Sequence, residues 1–153
     1  ERKYKFEHCA RYSKGYIYEC LGSAFWDTKK KGCIKTLADE RMRYNKSYTK
    51  VFIIRLNEQY SKTVSDYINE CLESQLGKKY TATQATMSYL ENFIPSKLKI
   101  LFLRKSKIKE FFCSKLAVYP DYKIGKIKEI PRTLTPNELA SILLNKGANI
   151  IKL

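Results

Sequence analysis

"GYIYECLGSAFWDTKKKGCIKTL", residues 15–37, sets the fold class. Tyr16, Ile17 and Tyr18 are aromatic and β-branched, the types that suit a pleated, half-buried surface, so a strand is expected over 15–20. A polar, lysine-rich break at 27–32 reads as a turn, and a further strand is expected from Cys33. Together these make a twisted hairpin or three-stranded ribbon. The first fifty residues as a whole read as β. "TKVFIIRL" (49–56) adds a strand whose apolar run suggests a central position.

Beyond it the period changes. Val64, Tyr67, Ile68, Cys71 and Leu72 recur at helical spacing and form one apolar stripe. The spacing predicts a helix capped by Asn57, running to about Leu76 and stopped by Gly77. "TATQ" (81–84) is a capping-box opening for a second helix, which Pro95 ends. "KLKILFL" (97–103) is strand-like, and "SKIKEFFCSKL" (106–116) is helical in period. Residues 117–132 hold two prolines and a glycine and read as a linker or extended segment. The closing stretch, "EIPRTLTPNELASILLNKGANIIKL" (129–153), has the best local signals. Thr135 is the expected N-cap, Pro136 the first helical residue, Glu138 the reciprocal cap and Gly147 the stop. A second helix could begin after Gly147. The expectation is therefore an α+β fold: a small antiparallel sheet or hairpin packed on two to three helices, with a short C-terminal helical unit. Three segments are expected: a basic α+β domain over 1–116, the linker over 117–132, and the terminal unit over 133–153.

Charge bounds the partner. The chain of 153 residues carries 30 Lys and Arg against 15 Asp and Glu, a net charge of +15. Residues 1–50 hold 13 bases and 6 acids, 51–92 hold 4 and 5, and 93–153 hold 13 and 4. Two cationic flanks thus surround a neutral middle. Such self-repulsion favours an anionic partner, of which nucleic acid is the commonest. A solubilising lysine surface is the bland alternative. No apolar run approaches the ~18 residues a membrane span needs, so no membrane partner is expected.

The motifs of catalysis are missing from the sequence. It has one histidine, His8, no GxxxxGK[ST] loop, no GxGxxG and no clustered carboxylates to hold Mg²⁺. No enzymatic activity is expected; one would need His8, Asp27, Asp39 and Glu40 in a single pocket. The five cysteines are odd in number, widely spaced and without a CxxC. They read as reduced thiols packed as small apolar groups, which points to an intracellular reducing compartment. His8, Cys9, Cys20 and Cys33 could supply four metal ligands but lack paired-ligand spacing, so no metal and no cofactor are expected.

Two stretches look built for a polyanion. Around Trp26 lie Lys29, Lys30, Lys31 and Lys35, with Tyr16 and Tyr18 on the neighbouring strand and Arg41 and Arg43 shortly after. Lysines neutralise phosphates, and aromatic faces stack on unpaired bases. Any one of these rings could instead face the core. Residues 96–132 hold eleven bases and three acids. Among them Lys97, Lys99, Arg104, Lys105, Lys107, Lys109 and Lys115 are candidate phosphate contacts. Lys105, Lys109 and Lys115 can lie opposite an Ile108, Phe111 and Phe112 face. Lysines so spread suit backbone contact more than base reading, which favours arginine forks.

Ile130, Pro131, Thr133, Thr135, Glu138, Leu139, Ala140, Lys146, Gly147, Ile151 and Lys152 carry a resemblance. In this order they resemble the opening of the helical subdomain in the N-terminal region of bacterial-type translation initiation factor 2. The match is ungapped and covers residues 129–153 only. The resemblance implies a helical unit, small-subunit and initiator-tRNA contacts, and an organelle matrix (mitochondrion or plastid) or bacterial cytoplasm. It implies no GTPase here, since the phosphate loop is missing. Residues 12–33 also look a little like the N-terminal hairpins of some transposases and integrases. The expected function is non-enzymatic RNA binding at the ribosome or in translation initiation. The alternatives are a DNA-binding module of a transposase- or integrase-like protein, and a protein–protein adaptor using helices within 57–94.

Overall fold

A computed structural model describes residues 8–22, 32–44, 51–55, 58–80, 112–128 and 134–152. Within these the chain is α+β, with two antiparallel sheets and four helices.

Strand β1 (Arg11–Ser13) turns directly into β2 (Tyr16–Leu21), with Ser13 opposite Tyr16. The two loop residues, Lys14 and Gly15, both sit at positive φ, 48° and 83°. That mirror-image turn matches the twist of paired strands, and glycine takes it without strain. β2 then pairs with β3 (Gly32–Leu37) in the register Tyr18 to Lys35 and Cys20 to Cys33. Of the two expected forms, a hairpin or a three-stranded ribbon, the ribbon is present, with β2 in its centre. Gly32 has a close neighbour of another kind: a Cβ there would lie 2.3 Å from the Lys78 carbonyl oxygen. The segment at 77–78 runs along β3, with Cys33 N donating to Lys78 O at 2.8 Å and Gly77 N to Cys33 O at 2.9 Å.

Residues 38–44 depart from the β expectation. They form helix α1 (Ala38–Tyr44), with Asp39 and Glu40 in its first turn and Arg41 and Arg43 in its last, the charge order that a helix dipole favours. Strand β4 (Phe52–Arg55) is also placed differently from expectation. Among the described residues it pairs only with β5 (Asn149–Lys152), and Ile53 is exposed. The alternation of partly buried and exposed positions is that of a sheet with one wet face, not of a central strand.

Helix α2 (Lys62–Glu73) starts later than expected, because Ser61 and not Asn57 is its cap: the Ser61 hydroxyl accepts from Val64 N. Its stripe buries Ile68, Cys71 and Leu72 as the spacing predicted, but leaves Tyr67 at the exposed edge. The expected helix over 82–94 and strand over 97–103 lie outside the described residues.

The largest correction concerns 117–123. α3 (Cys113–Lys123) agrees with the helical reading over 113–116, whose earlier part, 106–111, lies outside the described residues, and carries the helix on into the first part of the expected linker. Phe112 is its extended N-cap residue. Pro120 lies inside the helix and denies the Leu116 carbonyl its usual partner four residues on. Burial outweighs that loss. Leu116 packs with Tyr18, Cys20, Cys33, Ile68 and Leu72 between the sheet and α2. Ala117 and Val118 pack on the other side with Phe112, Leu134 and Leu139. A helix covered on both sides shows no single apolar stripe, so its period is hard to read.

Helix α4 (Pro136–Asn145) matches its expectation in detail. Glu138 N donates to the Thr135 hydroxyl at 3.1 Å, and Thr135 N donates to the Glu138 carboxylate at 2.7 Å. Gly147 ends it at φ 83°. Strand β5, not a second helix, comes next; Ile150 and Ile151 are β-branched and pair with Ile54 and Ile53.

Candidate nucleic-acid interface

Of the residues expected to contact nucleic acid, Trp26, Lys29, Lys30, Lys31, Lys97, Lys99, Arg104, Lys105, Lys107 and Lys109 lie outside the described residues. The others divide sharply. Tyr18 is 1% exposed. Its ring is in the core, and its hydroxyl donates to Glu73 at 2.5 Å and lies 3.1 Å from Asn69 Oδ1. Burial, then the Glu73 carboxylate, push the Tyr18 phenol well above its ordinary range. It cannot stack on a base. Arg41 is drawn inward as well: its guanidinium donates to Glu19 at 2.5 and 3.0 Å, which fixes α1 to the outer face of β2. Period-two alternation explains both corrections, since Tyr18 and Glu19 point to opposite sides of a strand that is covered on each.

Tyr16 and Lys35 are half-available. Lys35 Nζ sits 5.1 Å from the Tyr16 ring centre and is shared with Glu73 at 2.9 and 3.1 Å. Arg43 is exposed beside Tyr12, Leu37, Asp39 and Glu40 in a shallow hollow. Lys115 lies half-buried in the first turn of α3.

A second group was not foreseen as a site. Tyr119, Tyr122 and Lys123 follow one another at helical spacing in the last turn of α3, and α2 brings Tyr67 alongside. Tyr67 is 44% exposed and Tyr122 42%. Lys123 Nζ lies 5.6 Å from the Tyr119 ring centre, and the fields of Tyr119, Tyr67 and Cys71 hold its charge more firmly than usual. Just beyond, Lys126 Nζ lies 4.3 Å from the Tyr60 ring centre and pairs with Glu58. Lys146 reaches over to the Lys126 carbonyl at 3.3 Å. The signal was present as "YPDYKIGKIK" (119–128). Its proline and glycine made it read as linker, which hid the helical spacing of its tyrosines and lysine.

Five of the nine described acids are held in ion pairs within the molecule. Glu19 pairs with Arg41 and His8, Asp121 with Arg11, Asp66 with Lys14, Glu73 with Lys35 and Glu58 with Lys126. Asp121 is 4% exposed and accepts from Arg11 Nη1 at 2.7 Å, Arg11 Nη2 at 3.3 Å and the Tyr60 hydroxyl at 3.1 Å. This knot fixes the last turn of α3, and the tyrosines on it, against β1. The sole histidine faces Glu19 at 3.2 Å and does not line the hollow where Asp39 and Glu40 lie. Among the described residues no group of three or more His, Cys, Asp or Glu side chains is placed to hold a metal ion, and no helix is long and apolar enough to cross a membrane. No family model, no curated protein and no solved structure matches the chain.

Proposed function

We propose that the chain is a non-enzymatic RNA-binding protein that takes unpaired segments of an RNA, with the ribosome and translation initiation as its setting. The observation that carries this reading is the charge balance. With 30 bases and 15 acids, complete internal pairing of every carboxylate would still leave fifteen cations without an acidic partner in the chain. A polyphosphate backbone supplies the missing anions and gains from counterion release. The exposed rings of Tyr67, close to Lys123, and of Tyr122, beside Lys123 in the chain, favour single strands, because such rings stack on unpaired bases beside a phosphate contact. The setting rests on the resemblance of residues 129–153 alone.

The adaptor reading is weaker on α2, whose apolar stripe is buried within the chain's own core. DNA binding is an outcome of the same experiment. Labelled single-stranded RNA, the matching DNA strand and a duplex are titrated by fluorescence anisotropy over a salt series. Engagement of ~5 phosphates by a single strand gives a slope of log affinity on log salt near −3.5, or about a hundredfold loss between ~50 and ~200 mM salt. Replacing Tyr67 and Tyr122 by alanine weakens single-strand binding by ~1–3 kcal/mol for each stacked base. Replacing Lys29, Lys30 and Lys31 together lowers affinity and flattens the slope. A salt-independent isotherm, or no binding at low salt, refutes the polyanion reading, and tighter binding to duplex DNA refutes RNA as the partner.

A further inference from the structure

Three of the five cysteines, Cys20, Cys33 and Cys71, are buried, while Cys9 and Cys113 are half-exposed and share a contact with the Ser114 hydroxyl. Cys113 opens α3, the first helical residue after Phe112. Cys9 lies two positions before the start of β1 and is 104 positions away from Cys113 in sequence. The Ser114 hydroxyl lies between them, accepting from Cys9 Sγ at 3.4 Å and lying 3.8 Å from Cys113 Sγ. The His8 imidazole, next to Cys9 in the chain, lies near enough to the Cys113 sulfur for each to favour the other's charge, and it faces Glu19 Oε2 at 3.2 Å. Glu19 is 1% exposed and is itself gripped by Arg41. A chain of polar contacts thus runs from Arg41 through Glu19 and His8 to Cys113, with Cys9 as a second thiol at its end.

We propose that Cys113 is a nucleophilic thiolate, ion-paired with His8, that undergoes thiol–disulfide exchange with small disulfides and is resolved by Cys9. The buried carboxylate Glu19 orients His8 and favours its cationic form, and the cation with the first-turn amides of α3 favours the thiolate. The charges agree with this arrangement. Burial opposes the charge on His8, yet its bonds to Cys113 and Glu19 lift it to about 9. The bond from Cys9, against the cost of burial and with help from His8, brings Cys113 down to about 4. The Cys9 thiol is raised by the same neighbour and stays protonated. Cys20, the other thiol whose field reaches Cys113, is also pushed up, first by its contact with Cys33.

The exchange runs in two balanced displacements. Cys113 S⁻ attacks one sulfur of a small disulfide, the S–S bond breaks, and one thiolate leaves, taking a proton from His8 or water. Cys9 S–H then gives up its proton and attacks Cys113 Sγ; the mixed S–S bond breaks and the second thiolate leaves with that proton. Two cysteines are oxidised to one Cys9–Cys113 disulfide, and the small disulfide is reduced to two thiols.

The test uses the full chain and two probes, iodoacetamide and oxidised glutathione, read by peptide mass spectrometry. At pH ~5 an ordinary thiol is roughly one part in 3,000 thiolate. Cys113 is almost wholly ionised there but about a hundredfold less nucleophilic per thiolate, so its net advantage is roughly thirtyfold. Cys113 is therefore labelled first, and His8→Gln lowers its rate relative to the other four. Oxidised glutathione links Cys9 to Cys113 in the wild type. In Cys9→Ser it leaves glutathione on Cys113. Equal labelling of all five cysteines, a glutathione adduct elsewhere in Cys9→Ser, or a Cys20–Cys33 link in place of Cys9–Cys113 overturns the proposal.

Discussion

Replacing Asp121 by alanine removes the anion at the centre of the Arg11 and Tyr60 knot. The Arg11 guanidinium is one-fifth exposed and would lose both of its carboxylate bonds, at 2.7 and 3.3 Å. Taking one partner from a buried pair costs ~3–5 kcal/mol, and the partial access of Arg11 to water places this case near the lower bound. Alanine favours the helix by ~0.5 kcal/mol over aspartate, which leaves a net loss of about 2.5 kcal/mol. With a urea dependence of ~1.5 kcal/mol per molar for a chain of this size, the unfolding midpoint falls by roughly 1.7 M. Asp121→Asn keeps the shape and loses less, because its amide oxygen still accepts. Arg11→Met with Asp121→Leu recovers most of the loss, since neither charge is then stranded. A midpoint drop below ~0.5 M for Asp121→Ala, or a double variant as weak as the single one, refutes the reasoning.

Two further outcomes are expected. Thr135→Ala removes one half of the α4 capping box and lowers stability by ~1 kcal/mol, with Thr135→Ser retaining most of it, measured by the same urea titration. Stability also depends on pH in a specific way. The folded chain releases the Cys113 proton near pH 4 and the unfolded chain near 9, so this group makes stability rise with pH between those values. Folded His8 keeps its proton to about 9 and unfolded His8 loses it at 6.5, so it makes stability fall over 6.5 to 9. The two slopes oppose each other above 6.5. Stability therefore climbs from about pH 4 to 6.5 and levels to about 9, with Glu19, held below its ordinary 4.5 by His8 and Arg41 against the cost of burial, adding to the climb at the acid end. Urea midpoints across this range check it. A fall between pH 4 and 6.5, or no weakening of the climb in Cys113→Ser, contradicts it.

The parts of the fold legible in the sequence are those written in neighbouring residues. Aromatic and β-branched residues marked β2 and the start of β3, the Ile68, Cys71 and Leu72 stripe marked α2, and Thr135 with Glu138 marked both halves of the N-terminal cap of α4. The continuation of α3 beyond Leu116 was not legible, because Leu116 and Val118 face different clusters and Pro120 reads as a breaker until burial on both sides is known. The site residues divide for the same reason. Lysine content survives folding as charge, but whether Tyr18 or Arg41 faces water depends on Glu73 and Glu19, which lie 55 and 22 positions away in sequence. The meeting of His8 and Cys9 with Cys113 spans over a hundred residues and has no local signature.

The position of α3 also decides how the molecule comes apart. Its two sides complete two different apolar clusters, one with the ribbon and α2, the other with α4. Opening either cluster strips a wall from the other, so neither retains enough buried surface to persist alone. Backbone amides of α3 would then exchange with solvent only when the whole assembly opens, while those of α1 and β5 would exchange through smaller fluctuations. The described elements are in this sense one cooperative body, and a cut between Leu116 and Ala117, where the sequence suggested that a linker begins, would divide the helix that both clusters need.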